Sequence, residues 1–341
     1  MNKNNLIIEK TDTLVLLGGG RFLLDLTKWA IEANVHCVVI TSPRHAVEKF
    51  NDKELSSILK QIKISYLVTD NISDKAVKIF LENLGNKFYL SLGAAWIFKE
   101  RILDEIFDGR LINAHGTRLP VNRGGGGFSW QILMGNKLGF CQLHLIDSGI
   151  DTGDIIFTEE FLYPNSCRVP LDFEKVYYSK LFSILTDLIS RSLNSHISFL
   201  RVKQSEYLST YWPRLNTDLN AFIDWSWEVI NIERFICAFD TPYGGAKTYL
   251  NGKKVALKKC CVDSGEGSFH PYQSGIVYRK NLKWIFIAKE EGSLLVEEVL
   301  DENGRNIIQD IQLGDRFCTP SNSTDQSKQR VIYTPKGQKL T

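Results

Sequence analysis

Three polar side chains that can carry out acyl transfer follow two apolar segments of the chain. Asn113 and His115 end an apolar run that starts at Leu111, and residues i and i+2 of a strand face the same side. A second alternating segment ends in an acidic, glycine-broken turn that delivers Asp151 or Asp147 to the same edge. We therefore expect Asn113, His115 and one of these two aspartates to share one site at the carboxyl ends of strands, where open α/β sheets bind ligands.

These residue types fit a reaction at a carbonyl carbon. An asparagine amide can stabilise an oxyanion, and a histidine with a pKa near ~6.5 can take or give a proton at neutral pH. A carboxylate can orient that histidine and fix its protonation state. The sequence leaves open whether His115 is a base, an oxyanion partner or both. We interpret the other five histidines as ordinary core or surface residues; they are His36, His45, His144, His196 and His270.

Other chemistries are less well supported by the sequence. Gly18–Gly20 follows a strand as a dinucleotide-binding loop would, but position 23 is Leu and the second strand lacks the expected acidic residue. A tight turn is the simpler interpretation, and a ligand phosphate at the helix N-terminus is the functional alternative. Residues 147–154 lack the spacing and terminal Glu of a calcium loop, and the chain has no G-x-S-x-G. The absence of a CxxC pair argues against zinc, so we expect no metal.

Alternating strands and helices must position these residues. Apolar strand segments alternate with helical segments through about residue 205, a pattern typical of an open, mostly parallel Rossmann-like sheet with helices on both faces. Short strands separated by Gly, Asn and Ser turns then predict a small all-β, OB-like domain over 206–318. Residues 319–341 are polar and weakly patterned, and we interpret them as a tail. The first unit, 1–205, is thus expected to be the catalytic α/β domain.

The composition is that of an ordinary globular protein. The chain has 341 residues, of which 43% are hydrophobic, and a formal net charge of +2. This balance does not indicate a dedicated nucleic-acid surface. The N-terminus lacks a secretory signal, and no apolar run reaches the ~20 residues of a membrane span. We therefore expect a cytoplasmic enzyme that acts without membrane or nucleic acid.

Three motifs, in order and at matching spacing, resemble the formyltransferase family that uses 10-formyltetrahydrofolate. They are Asn113-Ala114-His115, Leu119-Pro120-Val121-Asn122-Arg123-Gly124 and Ile150-Asp151-Thr152-Gly153-Asp154. The resemblance implies that Asn113, His115 and Asp151 are the catalytic residues. Residues 212–252 also look like the C-terminal domain shared by methionyl-tRNA formyltransferases and several sugar formyltransferases. The co-substrate implied is 10-formyltetrahydrofolate, bound by two loops at Leu92, Gly93, Ala94 and Trp96 and at Leu145 and Asp147.

Departures from the methionyl-tRNA branch favour the sugar branch of the family. Gly116-Thr117 replaces the usual Ser-Leu after the histidine, four glycines follow Arg123, and residues 44–53 lack a basic insertion. The implied acceptor is an amino-deoxy-sugar on a nucleoside diphosphate, with dTDP favoured by family analogy and surface polysaccharide, such as lipopolysaccharide O-antigen, as the destination. We expect its pyrophosphate and sugar to be bound by Arg118, Arg123, Gly124, Gly125 and Phe128. Trp96, Phe128 and Trp130 could stack on the ligand or be core aromatics.

Two alternatives stay open beside this hypothesis. A methionyl-tRNA formyltransferase would need a basic stripe and would lose affinity steeply with salt. A binding module with a degenerate site is disfavoured because Asn113, His115 and Asp151 are all present. The resemblance allows a homodimer, but one sequence does not identify the sugar, its amino position, its nucleotide or the oligomeric state.

Overall fold

The computed structural model describes residues 5–263, 265 and 267–340. The strands up to residue 200 are β1 (Asn5–Ile8), β2 (Thr13–Gly18), β3 (Cys37–Thr41), β4 (Lys49–Phe50), β5 (Lys53–Glu54), β6 (Ser65–Val68), β7 (Lys87–Leu92), β8 (Ile112–His115), β9 (Arg123–Gly124), β10 (Leu138–Leu145), β11 (Ile155–Leu162) and β12 (Ile197–Leu200). The helices of this part are α1 (Gly20–Glu32), α2 (Pro43–Ala46), α3 (Leu55–Gln61), α4 (Lys75–Leu81), α5 (Glu100–Phe107), α6 (Gly127–Leu133) and α7 (Pro170–Asn194).

The first part of the chain is built on a seven-stranded sheet in the order β11-β10-β8-β7-β2-β3-β6. The five strands from β8 to β6 run parallel, and β10 and β11 are antiparallel additions at one edge. The strand order reverses direction at β2, so the crevice beyond the ends of β2 and β7 is where such a sheet binds ligands. This arrangement confirms the expected open, mostly parallel sheet.

Helices cover both faces of this sheet because the central strands are apolar on both sides. On one face α1, α3 and α7 pack against side chains such as Leu14 and Leu16 of β2. On the other face α4 and α5 contribute Val77, Leu103 and Phe107 to a second core with Val15 and Leu17. The sheet is therefore fixed from both sides, and the polar ends of β8 and β10 are held at a defined edge.

The chain after residue 200 forms a second, all-antiparallel sheet. The helices and strands of this part of the chain are β13 (Tyr211–Trp212), α8 (Thr217–Asn220), α9 (Val229–Ala238), β14 (Ala246–Leu250), β15 (Lys253–Asp263), β16 (Val277–Lys280), β17 (Ile285–Lys289), β18 (Gly292–Leu300) and β19 (Phe317–Cys318). Six strands pair in the order β16-β17-β18-β15-β14-β19, and a bridge between Ile276 and Arg316 joins the two edges. The expected small all-β barrel is confirmed as a partly closed barrel, with α9 packed against β15.

The two parts are tied together near the site. Strand β13 leaves the second part to pair in parallel with β9, matching Tyr211 to Arg123 and Trp212 to Gly124. Helix α6 packs against α9, and Ser129 Oγ donates to the carbonyl of Ala238. The glycine-rich loop is thereby fixed by chain from both parts.

The C-terminal residues differ from the expected tail. They form helix α10 (Ser321–Ser327) and a hairpin of β20 (Val331–Thr334) and β21 (Gly337–Leu340). The amide of Asn220 donates to the carbonyls of Ser327 and Gln329, and the Arg44 N–H donates to the carbonyl of Pro335. These contacts join sequence positions far apart, so the local polar composition gave no indication of them.

None of the helices in the described part of the chain is long and apolar enough to cross a membrane.

Candidate active site

The side chains of Asn113, His115 and Asp151 converge at the carboxyl end of β8, as the sequence predicts. Asn113 and His115 face the same side of β8, and His115 Nδ1 lies 3.8 Å from Asp151 Oδ2. Asp151 comes from the turn between β10 and β11, which lies beside β8 because β10 pairs with it in the register His144 to Asn113. The antiparallel edge strand is therefore what brings the carboxylate to the histidine.

His144 is the buried, hydrogen-bonded histidine that we expected, but it also contacts Asn113 and Asp151, which the sequence did not predict. Its Nε2 lies 3.0 Å from Asn113 Nδ2 and 3.5 Å from Asp151 Oδ1. Its Nδ1 lies 2.8 Å from the carbonyl of Leu145, to which only an N–H can donate. In the neutral ring Nε2 is therefore the acceptor, and it receives one N–H of the Asn113 amide. This contact orients Asn113 and leaves its second N–H for another partner.

The two ring nitrogens of His115 have different surroundings. Nε2 lies 2.8 Å from the carbonyl of Asn122, where it must donate, and 2.7 Å from Thr117 Oγ1. The lone pair of the neutral ring is consequently on Nδ1, which faces Asp151. Burial lowers the pKa of His115 below its ordinary value, and the opposing effect of Asp151 does not restore it. At neutral pH the ring is an unprotonated base with Nδ1 available.

Asp151 is held as a carboxylate. Its backbone is in the left-handed region at φ 53°, and its Oδ2 accepts from the N–H of Gly124 at 2.9 Å. Burial raises the pKa of Asp151, but the two histidines and the Gly124 N–H outweigh that effect and hold it well below its usual range. The lowering by the histidines is greatest when an imidazolium faces Asp151, and the N–H of Gly124 pairs with the carboxylate in either state of the rings.

A cavity of about 420 Å³ opens onto this cluster. Among the residues expected to bind folate, those that line it are Gly93, Ala94, Trp96 and Asp147. Trp96 is 7% exposed and its buried Nε1 has no hydrogen-bond partner in the described chain. Leu92 lines a smaller neighbouring cavity, whereas Leu145 is buried in the core. The loop after β7 and the turn before Asp151 thus form two sides of the cavity.

The arginines expected to bind the acceptor do not line this cavity. Arg118 is exposed and lies over the ring of Phe140, 6.0 Å from its centroid. Arg123 is 5% exposed and forms a two-point ion pair with Glu206, at 2.8 and 3.0 Å. The side chain of Arg123 also donates to Gln204, at 3.1 Å. Because these hydrogen bonds use all three nitrogens of the Arg123 guanidinium, its planar face of donors is not available for two-point binding of a pyrophosphate.

Arg123 instead supports the catalytic turn through Gln204. The Gln204 amide donates to the backbone carbonyls of Asp151 and Gly153, at 2.9 and 2.7 Å. Arg123 fixes the Gln204 oxygen, and so it holds the turn that carries the Asp151 carboxylate. The motif Arg123-Gly124 therefore placed the loop beside the site, but it did not predict that Arg123 contacts Gln204 and Glu206.

Three other arginines line the cavity, namely Arg44, Arg214 and Arg330. The guanidinium groups of Arg44 and Arg214 lie over the ring of Tyr333, 5.8 and 4.7 Å from its centroid. Burial and the neighbouring charge of Arg214 lower the pKa of Arg44. No carboxylate of the described residues lies within 4.0 Å of a guanidinium nitrogen of Arg44 or Arg214. Nothing in the local sequence of these arginines identifies them, because the fold brings them together from distant segments.

The run of glycines is explained mainly by close backbone approach. A Cβ on Gly124, whose φ is +99°, would lie 2.2 Å from the carbonyl oxygen of Trp212. A Cβ on Gly125 would lie 2.8 Å from Cβ of Arg214. Gly124 and Gly125 still line the cavity, so a ligand can reach their backbone, but chain segment 211–215 is what excludes side chains there.

Trp96, Phe128 and Trp130 were expected either to stack on the ligand or to pack against the protein, and the structure shows both kinds of position. Phe128 is partly buried and packs on Phe173 and Tyr177, and it is not among the residues that line the cavity at His115, so its assignment to substrate binding stays a prediction. Trp130 packs on Trp212, with ring centroids 4.9 Å apart, and lines a second cavity. Only Trp96 of the three lines the cavity at the catalytic cluster.

The Gly18–Gly20 turn has a structural function. A Cβ on Gly18 would lie 2.1 Å from the carbonyl oxygen of Leu92, and one on Gly19 would contact His45. The N–H of Gly20 donates to Glu48, at 2.9 Å. A carboxylate of the protein thus occupies the start of α1, where a dinucleotide phosphate would lie.

Three side chains of metal-ligand type meet in the site. Ligand atoms of His115, His144 and Asp151 all lie within 4.8 Å of one another. In the neutral site the His144 lone pair accepts from Asn113 and Asp151 Oδ2 accepts from Gly124. Both of these lone pairs are already used in hydrogen bonds. The neutral cluster therefore does not present three free ligand atoms to a metal ion.

Comparison with known proteins agrees with this arrangement. Residues 217–311 match the family described as "Formyl transferase, C-terminal domain". A methionyl-tRNA formyltransferase of Syntrophus aciditrophicus (strain SB) is 28% identical over 261 residues, which cover 75% of this chain and 80% of that protein.

Two solved structures share the fold. One is WlaRD, a sugar 3N-formyl transferase in the presence of dTDP and 5-N-formyl-THF, with a TM-score of 0.62 and 20% identity over 85% of this chain and 98% of that one. The other is an N-formyltransferase from Helicobacter canadensis in complex with folinic acid and dTDP-3-aminofucose, with a TM-score of 0.62 and 18% identity over 84% and 98%.

The C-terminal match, the similarity to methionyl-tRNA formyltransferases and the shared fold agree with one another, and they indicate an enzyme that transfers formyl groups.

Proposed function

We propose that this enzyme transfers the formyl group of 10-formyltetrahydrofolate to the amine of an amino-deoxy-sugar linked to a nucleoside diphosphate. The observation that carries the acceptor class is the group of arginines beside the catalytic cluster. Arg44, Arg214 and Arg330 line the same cavity as Asn113 and His115. A compact set of guanidinium groups suits a diphosphate, which bidentate contacts recognise. We assign the pyrophosphate to these arginines in place of Arg118 and Arg123.

The folate assignment rests on two loops that line the same cavity as the arginines. Gly93, Ala94 and Trp96 form the loop after β7, and Asp147 faces them from the turn after β10. Backbone groups of such loops and a buried indole N–H can pair with the polar edge of a flat heterocycle. Both solved relatives described above were determined with folate derivatives and dTDP or a dTDP-sugar, which supports the same pair of ligands here.

We assign catalysis to Asn113, His115 and Asp151, with His144 as a positioning residue. The uncharged sugar amine attacks the formyl carbon, a C–N bond forms and the formyl oxygen takes the negative charge. The free N–H of the Asn113 amide donates to this oxyanion. His115 Nδ1 takes the proton from the attacking nitrogen, and Asp151, 3.8 Å away, stabilises the imidazolium.

Collapse of the intermediate completes the transfer. The carbon–nitrogen bond to folate N10 breaks, and that nitrogen takes the proton back from His115. The products are the N-formyl sugar and tetrahydrofolate, and His115 is again neutral. A formylated sugar nucleotide of this kind is a building block for surface polysaccharides such as O-antigen.

Methionyl-tRNA is the second candidate acceptor, because the curated relatives of similar sequence are methionyl-tRNA formyltransferases. Two assays with 10-formyltetrahydrofolate separate the candidates: a panel of nucleotide-linked aminosugars and charged initiator tRNA. Formylation of an aminosugar nucleotide without formylation of the tRNA supports the proposal. Efficient, salt-sensitive formylation of the tRNA contradicts it.

A further inference from the structure

A second cavity, of about 750 Å³, lies next to the catalytic one. Its size is within the ~300–1,000 Å³ typical of small-molecule sites. It is formed by α6, the segment 211–215, α9 and the C-terminal residues 324–331. The catalytic mechanism uses none of its interior, and its dimensions exceed those of the catalytic cavity. This second cavity is therefore a candidate for a part of the acceptor remote from the reacting amine.

The two cavities share one wall. Tyr211, Arg214, Arg330 and Val331 line both of them. Arg330 lies over the ring of Tyr211, 5.7 Å from its centroid, and Arg214 lies over the ring of Tyr333. A ligand that extends from the catalytic cluster into the second cavity must pass these guanidinium groups. The diphosphate of a sugar nucleotide lies at that position, between the sugar and the nucleoside.

The interior of the second cavity suits a nucleobase. Trp130, Phe222 and Trp227 line it, and each is already fixed by another ring, namely Trp212, Tyr249 and Phe235. Fixed aromatic rings bind a flat heterocycle at little conformational cost. Asn231, in the first turn of α9, adds an amide that has no side-chain hydrogen bond within the described part of the chain. Its donor and its acceptor can both pair with the edge of a base.

The charges of the second cavity favour an anionic ligand. Arg214, Lys328 and Arg330 line it, against one carboxylate, Asp224. Asp224 is partly satisfied, since its Oδ1 accepts from the N–H and the hydroxyl of Ser226. Lys328 already pairs with Asp325, at 3.3 Å, but a purely apolar occupant, such as a lipid chain, would desolvate the guanidinium of Arg214 without giving it a hydrogen-bond partner.

The outer wall of the second cavity is supplied by residues beyond the matched family domain, which ends at 311. Thr324 and Ser327 of α10 and residues 328–331 line the cavity. Asn220 holds this segment through the carbonyls of Ser327 and Gln329, at 2.7 and 3.0 Å. The C-terminal segment, 320–333, therefore decides the shape of this cavity independently of the family fold.

We propose that the second cavity binds the nucleoside of the acceptor, with the diphosphate against Arg214 and Arg330 and with the C-terminal segment as its outer wall. This inference rests on the proposed function. It makes the C-terminal segment a determinant of which nucleotide the enzyme accepts, whereas β8 and the Asp151 turn determine the chemistry.

The test fills the second cavity from its outer wall. Thr324→Trp places a large ring in it, and Gln326→Trp, on the exposed side of the same helix, is the matched control. We expect Thr324→Trp to weaken binding of a nucleoside diphosphate at least 10-fold by calorimetry, and to raise the acceptor KM similarly. The KM for 10-formyltetrahydrofolate and the melting temperature should not change, and Gln326→Trp should match the wild type. Asn231→Trp fills the cavity from the opposite wall and replaces Thr324→Trp if that variant does not fold.

The outcomes separate this inference from the proposed function. If the wild type formylates an aminosugar nucleotide but a folded filling variant keeps its acceptor KM and its diphosphate affinity, the inference is overturned and the function stands. A change of oligomeric state in the filling variant with unaltered diphosphate affinity would assign the cavity to a second copy of the chain, and also overturn it. If the wild type formylates no sugar nucleotide, the proposed function fails, while calorimetry with dTDP, UDP and GDP still tests the cavity.

Discussion

At the scale of single residues, the catalytic roles that we propose follow from which nitrogen of each imidazole already has a partner. His115 donates from Nε2 to the Asn122 carbonyl, and His144 donates from Nδ1 to the Leu145 carbonyl. The remaining lone pairs then face Asp151 and Asn113 respectively. One histidine is thereby prepared to accept a proton, and the other is prepared to orient an amide.

We predict that His115→Asn, Asn113→Ala and Asp151→Asn each lower kcat by about 10²-fold or more, since each removes a contact that strengthens in the transition state. Steady-state kinetics with the best acceptor measures the loss. Melting temperatures should stay close to that of the wild type. Turnover near the wild-type level in a folded variant would remove that residue from the catalytic set.

His144 should behave as a positioning residue. His144→Leu removes the acceptor for the Asn113 amide, and kcat should fall by about 10-fold, as is typical when a supporting partner is lost. His144→Gln offers a carbonyl oxygen to the same amide and should recover part of that loss. The donor KM should be unchanged in both variants. Equal kcat for the Leu and Gln variants would show that the contact with Asn113 is not what matters.

Two buried histidines predict how stability depends on pH. Burial lowers the pKa of His45 to about 4, and it also lowers the pKa of His115. The unfolded chain takes up protons below pH ~6.5, whereas the folded chain resists them. Stability should therefore be constant above that pH and decline as the pH falls towards 4. His45→Gln should melt with a smaller difference between pH 7.5 and pH 5 than the wild type does, and an unchanged difference would contradict this account.

At the scale of elements, the loop from β9 to α6 and the turn before β11 form one supported unit. Arg123 holds Gln204, Gln204 holds the carbonyls of Asp151 and Gly153, and Gly124 donates to the Asp151 carboxylate. The unit depends on β13, because the pairing of β9 with β13 fixes the backbone of Arg123 and Gly124. In the proposed mechanism, the geometry around Asp151 thus depends on a strand from the second part of the chain.

This unit gives a prediction with a matched control. Arg123→Ala should lower the melting temperature because the side chain loses its hydrogen bonds to Gln204 and Glu206, and kcat should fall with it because the Asp151 turn loosens. Arg118→Ala, five positions earlier and exposed, should leave both unchanged. Melts and kinetics of the pair check this. A selective rise in acceptor KM for Arg123→Ala, with stability and kcat unchanged, would instead return Arg123 to the acceptor site.

The elements also explain how far the sequence could predict the site. Asn113 and His115 could be located because strand alternation and the carboxyl end of a parallel strand are local properties. His144 could not, since its function depends on the register between β8 and the antiparallel β10. The contacts of Arg123 could not be predicted either, because its partners, Gln204 and Glu206, lie about 80 positions later in the chain.

At the scale of the whole molecule, the catalytic cavity is assembled from three distant parts of the chain. The sheet supplies Asn113, His115 and Asp151, the segment after β13 supplies Arg214, and the C-terminal segment supplies Arg330. The sequence predicts the two-part architecture, because alternating strand and helix segments give way to short strands after about residue 205. It did not predict that residues 320–333 form part of the cavity wall, because their contacts to Arg44, Asn216 and Asn220 are all long-range.

The central claim is that the site around Asn113, His115 and Asp151 formylates the amine of a nucleotide-linked aminosugar. The most direct measurement incubates the full chain with 10-formyltetrahydrofolate and a panel of nucleotide-linked aminosugars, with charged initiator tRNA as a parallel acceptor and EDTA present throughout. Mass spectrometry should show the gain of one formyl group on at least one sugar nucleotide, abolished by His115→Asn, and no formyl-methionyl-tRNA. Formylation of the tRNA alone, or formylated sugar made equally well by His115→Asn, would contradict the account.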